Sequence, residues 1–186
     1  MQLFDKHSAV CRMFTFRAGL FAYLTHDLCI DVNSFKIELG NSDHFIRARF
    51  DAKSLRVNCA MKDGRERPDL LSEGERNLIN RIMLNDILDS DTYPDIMLFS
   101  SSVENKNSAL QVKGPAVLHG QERQISFTVR KEAQKGYVAD LRLHLPDFGI
   151  RNFSFLLGAV KIRPDILVHI ELPAKCLELH PVCSEH

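Results

Sequence analysis

From Arg123 to Val129 polar and apolar residues alternate, with Ile125, Phe127 and Val129 on one face and Gln124, Ser126 and Thr128 on the other. A period of two is that of a strand with one wet side. The same rhythm runs through Ile46 to Phe50, Tyr137 to Leu143 and Ile166 to Leu172, and looser versions predict strands near residues 9–16, 95–104 and 109–118. Between Leu28 and Leu39 the apolar parity changes, from Leu28, Ile30 and Val32 to Phe35, Ile37 and Leu39. A bulge or bend near Asn33–Ser34 accounts for that change.

One segment breaks the strand rhythm. Ser72-Glu73-Gly74-Glu75 fits a capping box and is followed by Leu78, Ile79, Ile82, Met83 and Ile87 at helical spacing, which predicts one helix over about residues 72–89. It ends before Tyr93-Pro94, since proline disfavours helical geometry in the residue ahead of it. Seven or eight strands separated by Gly, Asn and Asp, with no βαβ alternation, predict a mainly β fold, an antiparallel sandwich or barrel, of which the barrel is preferred. The polar stretch from Lys62 to Asp69 reads as a loop. The lone amphipathic helix must lay its apolar stripe on the sheet or across a cavity mouth.

Composition narrows the function classes. Lys+Arg and Asp+Glu are both 24, with no polybasic run to engage a nucleic-acid backbone or an anionic membrane, so nucleic acid is not an expected partner. The opening MQLFDKHSAVCRMF lacks an export h-region, and no run of about 18 apolar residues occurs, so a cytoplasmic, soluble protein is expected. Cys11, Cys29, Cys59, Cys176 and Cys183 have irregular spacings and no CxxC, as expected of reduced thiols. The tail CLELHPVCSEH could offer cysteine and histidine to a metal, although a frayed terminus is a poor cage, and no metal or cofactor is expected.

The candidate chemistry is sparse. His26-Asp27 could pair for proton transfer, but neighbours on a strand point to opposite faces, so a structural role through backbone hydrogen bonds is favoured. His119 precedes Gly120 between two apolar runs, where a hairpin corner with glycine at positive φ is expected. Asp86, Asp89 and Asp91 lack the register of a calcium loop and read as a solvated helix end. No GxSxG, HExxH, Walker loop or GxGxxG is present, so an enzyme is not the leading expectation. The phenylalanines, among them Phe14, Phe148, Phe153 and Phe155, are either ordinary core or the inner lining of a barrel that holds an apolar ligand.

Several short stretches, in order, resemble the YceI-like family. They are Ile87-Leu88-Asp89 with Tyr93-Pro94-Asp95-Ile96 and Phe99-Ser100-Ser101, then Val112-Lys113-Gly114 leading to Leu118-His119-Gly120, and Asp147-Phe148-Gly149-Ile150 with Leu157-Gly158. Together they span about residues 8 to 172. The front departs from the commoner pattern, with Ala18-Gly19-Leu20 and Thr25-His26-Asp27-Leu28 where many relatives carry a glycine-phenylalanine pair. The helix likewise reads ERNLINRIMLND where many relatives begin with arginine-aspartate. The resemblance implies an eight-stranded, lipocalin-like antiparallel barrel with a helix packed on or capping it, in one domain over residues 1–175 followed by a tail over 176–186. It also implies a tubular pocket for a long-chain isoprenoid or fatty-acyl ligand, frequent export to the periplasm among relatives, and a possible homodimer.

The function expected is therefore binding and carriage of a long-chain amphiphilic lipid. Strand parity and side-chain size select Phe16, Phe50, Phe99, Leu110, Val112, Ile125, Phe127, Leu141, Leu143, Val168 and Ile170 as the pocket lining. Two rivals stand beside it. One is an enzyme acting on a small hydrophobic substrate through His26, Asp27 and His119; the other is a solidly packed barrel serving as an interaction module.

Overall fold

A computed structural model describes residues 1–18, 26–40, 45–107, 109–133, 136–151, 154–155 and 160–173. The tail with Cys176 and Cys183, together with Phe153 and Leu157-Gly158, lies outside these residues.

The first half of the chain contributes β1 (Gln2–Phe4), β2 (Val10–Thr15), β3 (Arg17–Ala18), β4 (Asp27–Val32), β5 (Phe35–Leu39), β6 (Ile46–Asp51), β7 (Leu55–Lys62) and β8 (Arg65–Arg67). Helix α1 (Glu73–Arg81) follows and runs directly into a wider π-helical winding over Ile82–Ile87. After it come β9 (Asp95–Phe99), β10 (Ser102–Lys106), β11 (Ala109–Leu118), β12 (Gln121–Glu132) and β13 (Gly136–His144). The last are β14 (Ser154–Phe155), β15 (Val160–Ile162) and β16 (Asp165–Leu172).

Among the described residues the main sheet is antiparallel and holds 13 hydrogen-bonded strands, while β14, β15 and β3 form a separate small sheet. The mainly β barrel class expected from the sequence is the observed one, but the strand count exceeds the expected eight. Two bends and three short added strands explain the difference. Val32 and Phe35 flank a bend at Asn33–Ser34, and a 3₁₀ turn over Ala52–Ser54 breaks the partner run at the same level. Asn33 N donates to Ser54 O at 3.3 Å and Asp51 N to Ser34 O at 3.0 Å, so the ladder continues across the corner.

With β4–β5 and β6–β7 each taken as one bent run, the pairing returns on itself. It passes from β2 to β4–β5, β6–β7, β9, β11, β12, β13, β16 and back to β2. The circuit thus has eight positions, and β1, β8 and β10 are short additions to its edges. The parity change expected near Asn33 is also accounted for, since Leu28, Ile30 and Val32 before the bend and Phe35, Ile37 and Leu39 after it are all buried.

The outer wall is polar and laced with cross-strand pairs. On β13 and β16, Asp140 and His169 stand directly opposite. His169 Nδ1 is 2.7 Å from Asp140 Oδ1, its Nε2 is 2.8 Å from Glu171 Oε1, and Arg130 Nη2 donates to the other Asp140 oxygen at 2.5 Å. Burial, the largest single influence, pushes the Asp140 carboxyl upward, but the hydrogen bonds from His169 and Arg130 with their positive charge outweigh it and leave its pKa below the usual value. Cys29 and Cys59 also face each other across β4 and β7 as buried free thiols.

Candidate functional site

The barrel is hollow toward one end. A cavity of about 480 Å³ is enclosed by inward-facing strand residues on one side and the helix on the other. From the strands come, among others, Met13, Leu28, Ile30, Phe50, Leu141 and Val168; from the helix come Leu78, Ile79, Ile82, Met83 and Ile87.

The helix reaches this position through its cap and its irregular second half. Ser72 Oγ accepts from Glu75 N at 3.3 Å, while Glu75 Oε2 accepts from Ser72 N at 2.8 Å, which completes the expected capping box. The bonds from the Ser72 side chain and backbone also hold the Glu75 carboxyl below its usual pKa. Asn80 Oδ1 accepts from Val57 N at 2.8 Å and ties the helix to β7. Beyond Ile82 the winding widens, with Leu88 N donating to Met83 O. Regular helical spacing would carry Asp86 inward four residues after Ile82. The extra residue in the π turn instead aims Ile87 and Leu88 at the cavity and leaves Asp86 exposed.

Polar side chains gather where the cavity opens. Arg17, His26, Glu75, Arg151 and Arg163 all line it, and Glu75, Arg151 and Arg163 are exposed. Arg17 and Arg163 belong to the end of the barrel where β2 finishes and β16 begins, and Arg163 N donates to Phe16 O at 2.8 Å there. With three guanidinium groups against the carboxylates of Glu75 and of Asp27, which stands 4.0 Å from Arg17, this rim is cationic by one charge.

Of the residues selected from sequence, Phe16, Phe50, Ile125, Leu141, Leu143, Val168 and Ile170 line this cavity. Leu110 and Phe127 line a second cavity of about 60 Å³ at the opposite end, which Ile170 also touches. Val112 lies between the two levels on β11 and is packed solid at 1% exposure. Phe99 faces outward: alternation places it opposite in sense to its neighbour Leu98, and the Arg47 guanidinium carbon stands 5.7 Å from its ring centroid. Selection by size favoured the aromatic ring over the leucine that occupies the inner face.

The acid-base trio is not gathered at one place. His26 lines the cavity, whereas Asp27 accepts a hydrogen bond from Arg17 N at 2.8 Å with the Arg17 guanidinium 4.0 Å away, and is not part of the cavity lining. His119 occupies the two-residue turn that joins Leu118 to Gln121, with φ of 51° at His119 and 69° at Gly120. The hairpin corner expected there is present.

The rim arginines and Leu98 were missed in the sequence, while the helix was expected to lay its stripe on the sheet or across a cavity mouth, and its stripe residues line the cavity. Helical spacing already marked Leu78, Ile79, Ile82 and Met83, but nothing in the linear pattern brings Arg17, Arg151 and Arg163 together. Among the described residues no helix is long and apolar enough to cross a membrane.

Comparison with solved structures finds the same fold in proteins of low sequence identity. BcnA of Burkholderia cenocepacia superposes with a TM-score of 0.58 at 12% identity, covering 88% of this chain and 94% of that one. A polyisoprenoid binding domain from Saccharophagus degradans, implicated in plant cell wall breakdown, gives a TM-score of 0.53 at 10% identity, covering 92% and 97%. The YCEI protein of Campylobacter jejuni gives 0.52 at 13% identity, covering 77% and 81%. No curated protein matches by sequence. A family model described as the YceI-like domain matches residues 13–174, and with most of its length so covered, the chain belongs to the YceI-like domain family.

Proposed function

We propose that this protein binds and carries a long-chain amphiphile, a polyisoprenoid or fatty-acyl-like lipid, with the chain inside the barrel and the polar head at the rim. The observation that supports this reading is the cavity of about 480 Å³, walled by aliphatic and aromatic side chains and opening among Arg17, Arg151 and Arg163. A packed interaction module has no use for such a space, and the dispersed His26, Asp27 and His119 offer no shared reaction centre. The ligand named for the Saccharophagus degradans domain is of the same chemical kind.

The magnitudes suit carriage. A liquid allots about 30 Å³ to a water-sized group, so the cavity takes about 16 chain carbons. At about 0.8 kcal/mol per methylene their burial contributes about 13 kcal/mol before the cost of immobilising the chain, which removes several. Micromolar or tighter binding follows from the walls alone. The cationic rim adds preference for a head that is anionic or rich in acceptors.

The test is extraction of the protein as purified from cells, with lipid mass spectrometry, followed by uptake of added prenyl and fatty-acyl lipids. Near-stoichiometric long-chain species or saturable uptake are expected. Absence of both overturns the proposal.

A further inference from the structure

The barrel interior is divided along its length. The cavity of about 480 Å³ lies toward the rim and the one of about 60 Å³ toward the far end. Among the described residues, Leu98 and Ile170 are the two that line both. Their side chains therefore stand where one space stops and the other starts. β9 and β16 are equally many steps apart whichever way the circuit is followed, so the two residues approach from opposite walls. Register surrounds each with small neighbours: Leu98 pairs with Ala48 and Ala116, and Ile170 with Ala139 and Cys11. Both are nearly sealed from solvent, at 7% and 8% exposure. With Val112, which also lies between the two levels, these two large side chains fill the bore there.

We infer that Leu98 and Ile170 form a floor that sets the length of chain the protein accepts. The inference rests on the proposal that the cavity takes a lipid chain. Above the floor there is room for about 16 carbons, or about three isoprene units. A longer chain either leaves carbons in water at the rim or displaces the floor. Truncating either residue joins the two spaces, because its neighbours are too small to fill the gap.

The experiment measures affinity for saturated fatty acids in a homologous series from about 10 to about 22 carbons, by displacement of a fluorescent fatty acid. In the unaltered protein each methylene up to the floor tightens binding about fourfold, and beyond about 16 carbons the gain falls to near zero. In Leu98→Ala the break moves about four carbons further, through the void of about 60 Å³ and the space the side chain vacates. Ile170→Ala, on the facing wall, moves the break in the same direction and serves if Leu98→Ala does not fold. Affinity that climbs steadily to the longest chain, or a break that stays in place in a folded variant, overturns the floor. Binding of no fatty acid at any length, with no uptake of prenyl lipid either, removes the lipid reading and the floor with it, an outcome distinct from binding without a length limit; where only prenyl lipid is taken up, the same series is read with prenyl alcohols of increasing length.

Discussion

Tyr93 and His119 pack ring against ring, 4.4 Å between centroids and tilted by 50°, so the loop that leaves the helix is held against the β11–β12 corner. Gly120 completes this contact, since a Cβ there would come within 2.7 Å of the Tyr93 ring at a φ of 69°. Gly120→Ala is expected to destabilise the fold by about 2 kcal/mol, from the strained backbone and the displaced ring. Urea unfolding, read as a shift in midpoint, checks this.

Gly114 on β11 is a stricter case. A Cβ there would lie 1.8 Å from Phe99 O, and a backbone atom cannot swing aside as a side chain can. Gly114→Ala is expected to lose about 3 kcal/mol or fail to fold, because β9 and β11 would have to separate. Thermal unfolding of the two glycine variants side by side ranks the positions.

The capping box makes the helix wall separable from the barrel. Ser72→Ala removes the acceptor for Glu75 N and is expected to cost about 1 kcal/mol. The helix contributes apolar wall to the cavity, so ligand release should quicken more than global stability falls. Stopped-flow release of a bound fluorescent lipid and urea unfolding together test that difference.

Asp140 supplies a pH dependence of known sign. Its pKa is lowered in the folded protein, so its contribution to stability is complete above the unfolded value, near 3.8, and is lost as pH falls through the lower folded value. Stability should therefore drop more steeply below about pH 4 in the unaltered protein than in Asp140→Asn. Urea midpoints measured at a series of acidic pH values for both proteins provide the check.

The thiols of Cys11 and Cys29 are expected to resist alkylation. Burial raises both to about 12, aided at Cys29 by the facing Cys59, and the thiolate is the reactive form. Iodoacetamide at mildly alkaline pH should modify the peptides carrying them slowly in the native state and quickly in denaturant, as mass spectrometry of the digested protein would show.

The faces of the strands were legible in the sequence and the depth along the bore was not. Alternation in Arg123–Val129 correctly set Ile125, Phe127 and Val129 inward, yet Ile125 borders the large cavity while Phe127 and Val129 border the small one. A period of two distinguishes inside from outside and carries no coordinate along the axis. Phe99 shows the weakness of choosing by size where alternation is short, since Leu98 is the inward residue of that pair. The helix was legible because its cap and stripe are local, whereas its π turn depends on the cavity that Ile87 and Leu88 must face. The rim arginines come from distant parts of the chain, and only the pairing of β2, β13 and β16 brings their neighbourhoods to one end.

The pairing of β2 with β16 also has a temporal consequence. β2 pairs on one side with the nearby β4 but on the other side only with β16, so the chamber cannot be completed until nearly the whole described chain is available. Such distant contacts incur loop-closure entropy before they return any burial, which slows folding and leaves greasy strand faces in water meanwhile. Newly made chains should therefore lean on chaperones until the last strand seats.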